Sequence, residues 1–228
     1  MPSGATVPTD RLALPRELVA TGIVAIARAA SVSRVEAAVE ALVGAGVTCI
    51  EVTLTAPGAI ESIASLVANY GSSACIGAGT VLTTDDASAC IEAGAAFLVS
   101  PSAVPEVVEL AAARGVPCLP GALTPTEIVA AWRSGAAAVK LFPASLGGAR
   151  YLRDVRAPLP DIPLVPTGGI AIDDVAGYIA AGAVAIGVGG PLFGDALDGG
   201  DLDALAARAR RFLVVVAEAR KAHAVGAR

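Results

Sequence analysis

The chain has 228 residues, 55% of them hydrophobic but only 4% aromatic, and carries a net charge of −5. That length suits one large domain or two small ones, and an acidic balance with no basic cluster argues against a nucleic-acid partner. No run reaches the roughly 18 apolar residues of a membrane span, and residues 1–15 lack the basic-then-apolar order of a signal peptide, so no membrane partner is expected.

Residues 1–15 read as an N-terminal tail, and residues 16–228 as a single domain with no linker or low-complexity break. Within it a helix–glycine–strand unit recurs. Gly46, Gly94, Gly115, Gly135 and Gly182 each follow a helical segment, and an apolar run begins shortly after. Glycine at that place is the left-handed residue that ends a helix. The pattern predicts eight strands, near 22–28, 48–54, 75–81, 96–101, 117–123, 137–143, 163–169 and 185–190. Helices are predicted near 33–44, 58–69, 84–93, 104–114, 125–134, 148–156, 172–181 and 202–222. Ser33, and Thr124 followed by Pro125 and Glu127, carry helix-start chemistry. Eight β-then-α repeats match a (β/α)₈ TIM barrel of the α/β class; an open doubly wound sheet is the alternative.

The four cysteines, Cys49, Cys75, Cys90 and Cys118, show no CxxC spacing, and three of them lie in apolar runs. They read as buried, reduced thiols of a cytoplasmic protein. The single histidine, His223, sits in the C-terminal tail, so no metal site built on clustered imidazoles is expected, and no cofactor is called for.

Lys140 stands out. Of sixteen basic residues only Lys140 and Lys221 are lysines, and Lys140 interrupts the apolar run of the sixth strand between Val139 and Leu141. Burial there strips an ammonium of water and favours the neutral amine, the nucleophile that forms a Schiff base with a carbonyl. The alternative is a strand-end lysine that snorkels to solvent or pairs with a carboxylate.

Strand parity places the other candidates. Ile50, Val52 and Leu54 form the apolar face of the second strand, which turns Glu51 inward with Cys49 and Thr53. Val139 and Leu141 pack outward, leaving Ala138, Lys140 and Phe142 inside. The second and sixth strands face each other across such a barrel, so amine and carboxylate can meet. Glu51 reads either as the catalytic partner of Lys140 or as a structural partner of Arg28, which ends the first strand. Thr80 ends the third strand. Thr167, Gly168 and Gly169 end the seventh, and Gly189 and Gly190 the eighth, where barrels bind phosphate on open backbone N–H groups. Ser100 and Ser145 have no histidine to act as base, which excludes a Ser–His–Asp hydrolase.

Gly135-x-x-x-Val-Lys140-Leu-Phe-Pro-Ala-x-x-x-Gly148 resembles the lysine motif of the 2-keto-3-deoxy-6-phosphogluconate (KDPG) and 4-hydroxy-2-oxoglutarate (KHG) aldolases. Gly46-x-x-x-Ile-Glu51-Val-Thr-Leu is similar to their glutamate motif. Gly77-Ala-Gly-Thr80-Val, Val99-Ser-Pro101, Leu119-Pro-Gly121 and Pro166-Thr-Gly-Gly169 resemble family segments at strand ends. The resemblance spans about residues 22–212. It implies a metal-free class I aldolase of (β/α)₈ fold, usually a homotrimer, acting on a phosphorylated 2-keto acid.

Residue by residue, the resemblance implies that Lys140 forms the Schiff base with pyruvate and that Glu51 moves protons. Thr80 would hold the pyruvate carboxylate and Arg28 the anionic substrate, while Gly168, Gly169 and Gly189 would cradle phosphate. The implied substrate-binding set is Arg28, Thr80, Pro101, Phe142, Thr167, Gly168, Gly169, Gly189 and Gly190. Two positions depart from the commoner family pattern: Thr55 stands where many members have arginine, and Gly190 where many have serine. The expected reaction is cleavage of KDPG to pyruvate and glyceraldehyde 3-phosphate. The galactonate isomer, KHG and a non-catalytic sugar-phosphate-binding barrel are the alternatives.

Overall fold

A computed structural model describes residues 11–226. All of its strands run parallel, as expected where helices supply every return connection. They are β1 (Ile23–Ala27), β2 (Cys49–Thr53), β3 (Cys75–Gly79), β4 (Leu98–Val99), β5 (Cys118–Leu119), β6 (Gly121–Ala122), β7 (Val139–Leu141), β8 (Leu164–Pro166) and β9 (Ile186–Val188). The helices are α1 (Arg16–Thr21), α2 (Val35–Ala45), α3 (Ala59–Tyr70), α4 (Thr84–Glu92), α5 (Pro105–Ala113), α6 (Pro125–Arg133), α7 (Gly148–Arg156), α8 (Val175–Ala180), α9 (Gly190–Phe193) and α10 (Leu202–Gly226).

Six strands form one sheet in the order β5-β4-β3-β2-β1-β9, and β6-β7-β8 form a second. Pro120 alone separates β5 from β6. It has no N–H to donate, but its carbonyl still accepts from Lys140 N at 2.9 Å, and Ala137 N reaches Cys118 O at 3.0 Å. At the other edge a parallel bridge joins Thr167 to Gly187, and Val184 N donates to Leu164 O at 3.1 Å. The result is a parallel α/β fold with curled sheets, hydrogen-bonded to each other at both edges.

The strand–helix alternation follows the sequence pattern closely. Gly46 ends α2 at φ +96°, and the other four repeat glycines also have positive φ. Thr124 and Glu127 form the expected reciprocal cap on α6, and Thr83 with Asp86 forms another on α4. Ser33 does not start α2. Ser31 caps a 3₁₀ turn (Val32–Arg34) instead, and the α-helix begins one turn later. Several strands are shorter than predicted, β4 above all, because only the paired residues at its centre keep ladder geometry.

The N-terminal region departs from the expected tail. Residues 1–10 lie outside the described residues, but Arg11–Pro15 is packed. The Arg11 guanidinium sits 3.6 Å from the centroid of the Trp132 ring and donates to Ala136 O at 3.1 Å. Next comes α1, which the sequence reading did not anticipate; its Leu18 has no exposed surface.

Two apolar clusters fill the molecule. The larger lies between strands and helices, with Ile50, Val52, Val139 and Leu141 among its members. The smaller comprises Leu18, Val24, Ile26, Cys49, Cys75, Phe97, Val99, Leu119, Ala138, Val165 and Ala185, with Leu14 packed against it. Its strand residues alternate with those of the larger cluster, so it fills the concave side of the sheets, and α1 closes its N-terminal end. Among the described residues, no helix is long and apolar enough to cross a membrane.

Candidate active site

Among the described residues, the buried polar side chains are Glu51, Thr53, Ser100, Lys140 and Thr167. Each lies on, or directly after, a strand. Burying them together costs free energy unless they serve one another or a ligand. Lys140 comes from β7 and Glu51 from β2, each two residues beyond an inner-cluster member, Ala138 directly before β7 and Cys49 at the start of β2. Period-two alternation therefore turns both side chains into the concave space, as parity predicts.

Lys140 Nζ stands 3.8 Å from Glu51 Oε1, with side chains only 4% and 1% exposed. That separation is an ion-pair distance but too long for a direct hydrogen bond. Among the described residues, Glu51 Oε1 has no hydrogen-bond partner. Burial pushes the Glu51 carboxyl above its usual range, while Lys140 and Arg28 pull the other way without cancelling it. An unsatisfied buried carboxyl oxygen beside an amine is an arrangement prepared for a third group, since leaving it orphaned costs on the order of 1–3 kcal/mol.

Two glycines make the space. A Cβ on Gly79, in the neighbouring β3, would collide with the Glu51 carboxylate, and one on Gly77 would enter the Phe97 ring. The sequence reading treated this stretch only as a strand leading to Thr80. A carboxylate facing inward beside a Gly-x-Gly strand was the signal that could have assigned Gly79.

The remaining predicted residues lie at or just beyond strand ends. Arg28 follows β1, is exposed, and acts electrostatically on Glu51. Thr80 follows β3 with φ +62°, the non-glycine residue of positive φ among those described. For a β-branched side chain that is a strained conformation, of the kind that clusters at functional sites. The Phe142 ring centroid lies 5.3 Å from Lys140 Nζ, and Phe142 packs where Gly168 leaves room for it. Thr167 is buried, its hydroxyl donating to Val165 O at 3.2 Å. Pro101 is half-buried and its carbonyl closely approaches Gly121.

Gly168 and Gly169 have φ of +97° and +72°, and Gly190 opens α9 directly after Gly189. Among the described residues, the N–H groups of these four glycines donate to no backbone carbonyl. The two glycine pairs are brought to one side by the Thr167–Gly187 bridge.

Two further buried hydroxyls, Thr53 placed inward by parity and Ser100, carry no site role in the sequence reading. Thr53 shares the inner face with Glu51, and its Oγ1 lies 2.8 Å from Thr55 Oγ1. Ser100 donates to Ser102 O at 2.7 Å. No group of three or more His, Cys, Asp or Glu side chains able to hold a metal is gathered among the described residues.

A profile of the aldolase family described as KDPG and KHG aldolase matches residues 16–207. The chain belongs to this family. It is 37% identical over 194 residues, 85% of this chain and 91% of the relative, to a probable 2-dehydro-3-deoxy-6-phosphogalactonate aldolase of Rhizobium meliloti. It is 40% identical over 154 residues, 66% and 73% of the two chains, to a 2-dehydro-3-deoxy-phosphogluconate aldolase of Treponema pallidum. Among solved structures, a native KDPGal structure superposes with a TM-score of 0.82 at 33% identity, covering 87% of this chain and 96% of that one. A KDPG aldolase from Legionella pneumophila, with pyruvate captured as a covalent carbinolamine, gives 0.79 at 25% identity, covering 85% and 95%. This chain is therefore an aldolase, a lyase of the KDPG and KHG family, and the Lys140–Glu51 pair lies inside the matched span.

Proposed function

We propose that the protein is a class I aldolase in which Lys140 forms a Schiff base with the 2-keto group of a phosphorylated 2-keto-3-deoxy sugar acid. The observation that carries this reading is the buried Lys140 amine 3.8 Å from an unpartnered Glu51 oxygen. The neutral amine adds to C2 to give a carbinolamine, and loss of water gives the iminium. Glu51 delivers the proton that lets the hydroxyl leave as water. A base then removes the C4 hydroxyl proton, the C3–C4 bond breaks, and its electron pair flows into the iminium to give an enamine. The aldehyde departs, C3 is protonated, and water releases pyruvate from Lys140. Glu51, kept protonated to higher pH than a free carboxyl by burial, is suited to give and retake one proton in this sequence.

Around that centre, Thr80 is assigned to the pyruvate carboxylate and Arg28 to the anionic chain. Phe142, Pro101 and Thr167 form the walls. The open N–H groups of Gly168, Gly169, Gly189 and Gly190 are assigned to the phosphate. KDPG is the substrate of first choice, with pyruvate and glyceraldehyde 3-phosphate as products. The galactonate epimer is a second reading, favoured by the 194-residue match to a relative of that name. It differs at C4 alone and gives the same products.

Residues 16–228 are read as one domain. The hydrogen bonds across Pro120 and from Val184 N to Leu164 O, with the Thr167–Gly187 bridge, support reading its two sheets as one closed (β/α)₈ barrel. Four unpaired buried thiols support a reducing, cytoplasmic setting, and a homotrimer is the assembly proposed from the family resemblance.

Trapping tests the reaction. Pyruvate with borohydride should add one reduced pyruvyl group to Lys140, and Lys140→Arg should abolish both adduct and turnover, because a guanidinium is a poor nucleophile. Labelling at Lys221, or none, refutes the Schiff-base reading. Comparing kcat/KM for the two C4 epimers decides the substrate.

A further inference from the structure

Cys49 and Cys75 open β2 and β3 and are direct register partners across the two strands. Both belong to the inner cluster, so both side chains project from the same concave face. Register partners on adjacent strands stand about 4.8 Å apart, inside the roughly 4.4–6.8 Å Cα range that a disulfide bridges. On a concave face the side chains converge, which brings the two sulfurs nearer than the backbones. Cys90 and Cys118, by contrast, face the outer cluster.

Access is one-sided. Cys49 is fully enclosed, whereas Cys75 is 8% exposed and lines a cavity of about 200 Å³ with Glu17, Val67, Gly71 and Gly94. That cavity lies by the N-terminal ends of the strands, away from the Lys140–Glu51 pair. The neighbouring Cys75, and then burial, push the Cys49 thiol up, so Cys75 is the group that meets an incoming oxidant. Neither sulfur has a part in the aldol chemistry.

We propose that Cys49 and Cys75 form an oxidisable dithiol that a small uncharged peroxide closes to a disulfide, stapling β2 to β3 beneath Glu51 and slowing turnover. The Cys75 sulfur attacks one peroxide oxygen, the O–O bond breaks, and hydrogen peroxide leaves a sulfenic acid and one water. The Cys49 sulfur then displaces the hydroxyl from Cys75 as a second water. Two thiols are oxidised by two electrons and one peroxide is reduced to two waters. A resolving thiol on the register-partner residue intercepts the sulfenic acid before further oxidation. Glu51 is two residues beyond Cys49 on the same face and is register partner of Gly77, so drawing the strand starts together moves the carboxylate relative to Lys140. The slowing rests on the aldolase reading of Glu51; disulfide formation does not.

The purified full chain is treated with hydrogen peroxide, the oxidant is removed, and intact mass, peptide map and aldol turnover are measured. Loss of two hydrogens should map to the Cys49 and Cys75 peptides, with Cys90 and Cys118 still open to alkylation after unfolding. Turnover should fall several-fold and return with dithiothreitol, while Cys49→Ala should keep its turnover through the same treatment. Thiols that stay reduced, a bridge to another cysteine, or equal loss in Cys49→Ala overturn the proposal. A Cys49–Cys75 bridge with unchanged turnover overturns the coupling to Glu51.

Discussion

Gly79 stands beside Glu51 on the neighbouring strand, and a side chain on it would occupy the space of the Glu51 carboxylate. Gly79→Ala should therefore displace Glu51 from Lys140. Overpacking should cost about 1–3 kcal/mol of stability, and turnover should fall by at least about tenfold, towards the roughly 10²–10⁴-fold worth of a general acid–base group. Steady-state kinetics beside a melting curve check this. A folded variant with wild-type turnover would show that the position of Glu51 does not matter.

Glu51→Gln keeps the shape and removes proton transfer. Turnover should fall by roughly 10²–10⁴-fold, and exchange of pyruvate C3 hydrogens with deuterated water should fall with it. Exchange at the wild-type rate with cleavage lost would remove Glu51 from protonation at C3. If both persist, Glu51 is a structural ion-pair partner of Arg28 or Lys140.

Stability should respond to pH with a definite sign. Burial raises the folded-state pKa of Glu51 despite Lys140 and Arg28, so above the unfolded pKa the folded chain binds more protons than the unfolded one. The contribution of Glu51 to stability is then complete in acid and lost as pH rises through the folded value. Glu51→Gln imitates the protonated form. It should melt with the wild type in acid and above it at neutral pH, as read by scanning fluorimetry. A lower midpoint at neutral pH would mean that pairing with Lys140 outweighs desolvation.

Thr80→Gly removes a strained left-handed β-branched residue and a hydroxyl together. Relief of strain should raise stability by about 1 kcal/mol, since the left-handed region costs other residues roughly 1–2 kcal/mol. Loss of a bond to a charged carboxylate should raise KM for pyruvate in the aldol direction by roughly tenfold. Stability gained with KM unchanged would detach Thr80 from the substrate.

Exhaustive EDTA treatment should leave turnover unchanged, given a lone tail histidine and no metal-binding cluster among the described residues. Activity lost to EDTA and restored by Mg²⁺, Mn²⁺ or Zn²⁺ would recast Glu51 as a metal ligand.

Much of this site was legible because strand parity is a strict rule. Ile50, Val52, Val139 and Leu141 mark the outer face by hydrophobicity alone, and Glu51 and Lys140 then have one side left to them. The repeat glycines announced the helix ends for the same kind of reason, a single residue type meeting a single backbone need. What stayed hidden depends on neighbours distant in sequence. The clearance at Gly79 exists only because β2 lies beside β3 in that register, and the strain at Thr80 is invisible in a residue name. Short α1 carries too little periodicity to read, and Arg11 packs on a tryptophan 121 positions away (132 − 11). Pro120 was visible in the sequence, but its effect, one strand recorded as two, appears only when the partner strand's donors are seen.

The buried Leu18 and its neighbour Leu14 stopper the inner space at the end opposite Thr80. Apolar side chains therefore back the Lys140–Glu51 pair on that side. On the aldolase reading, a hydrogen isotope lifted by Glu51 early in the cycle has hydrocarbon rather than water behind it, and its return to C3 within one turnover is set by that packing as much as by the polar groups around the substrate.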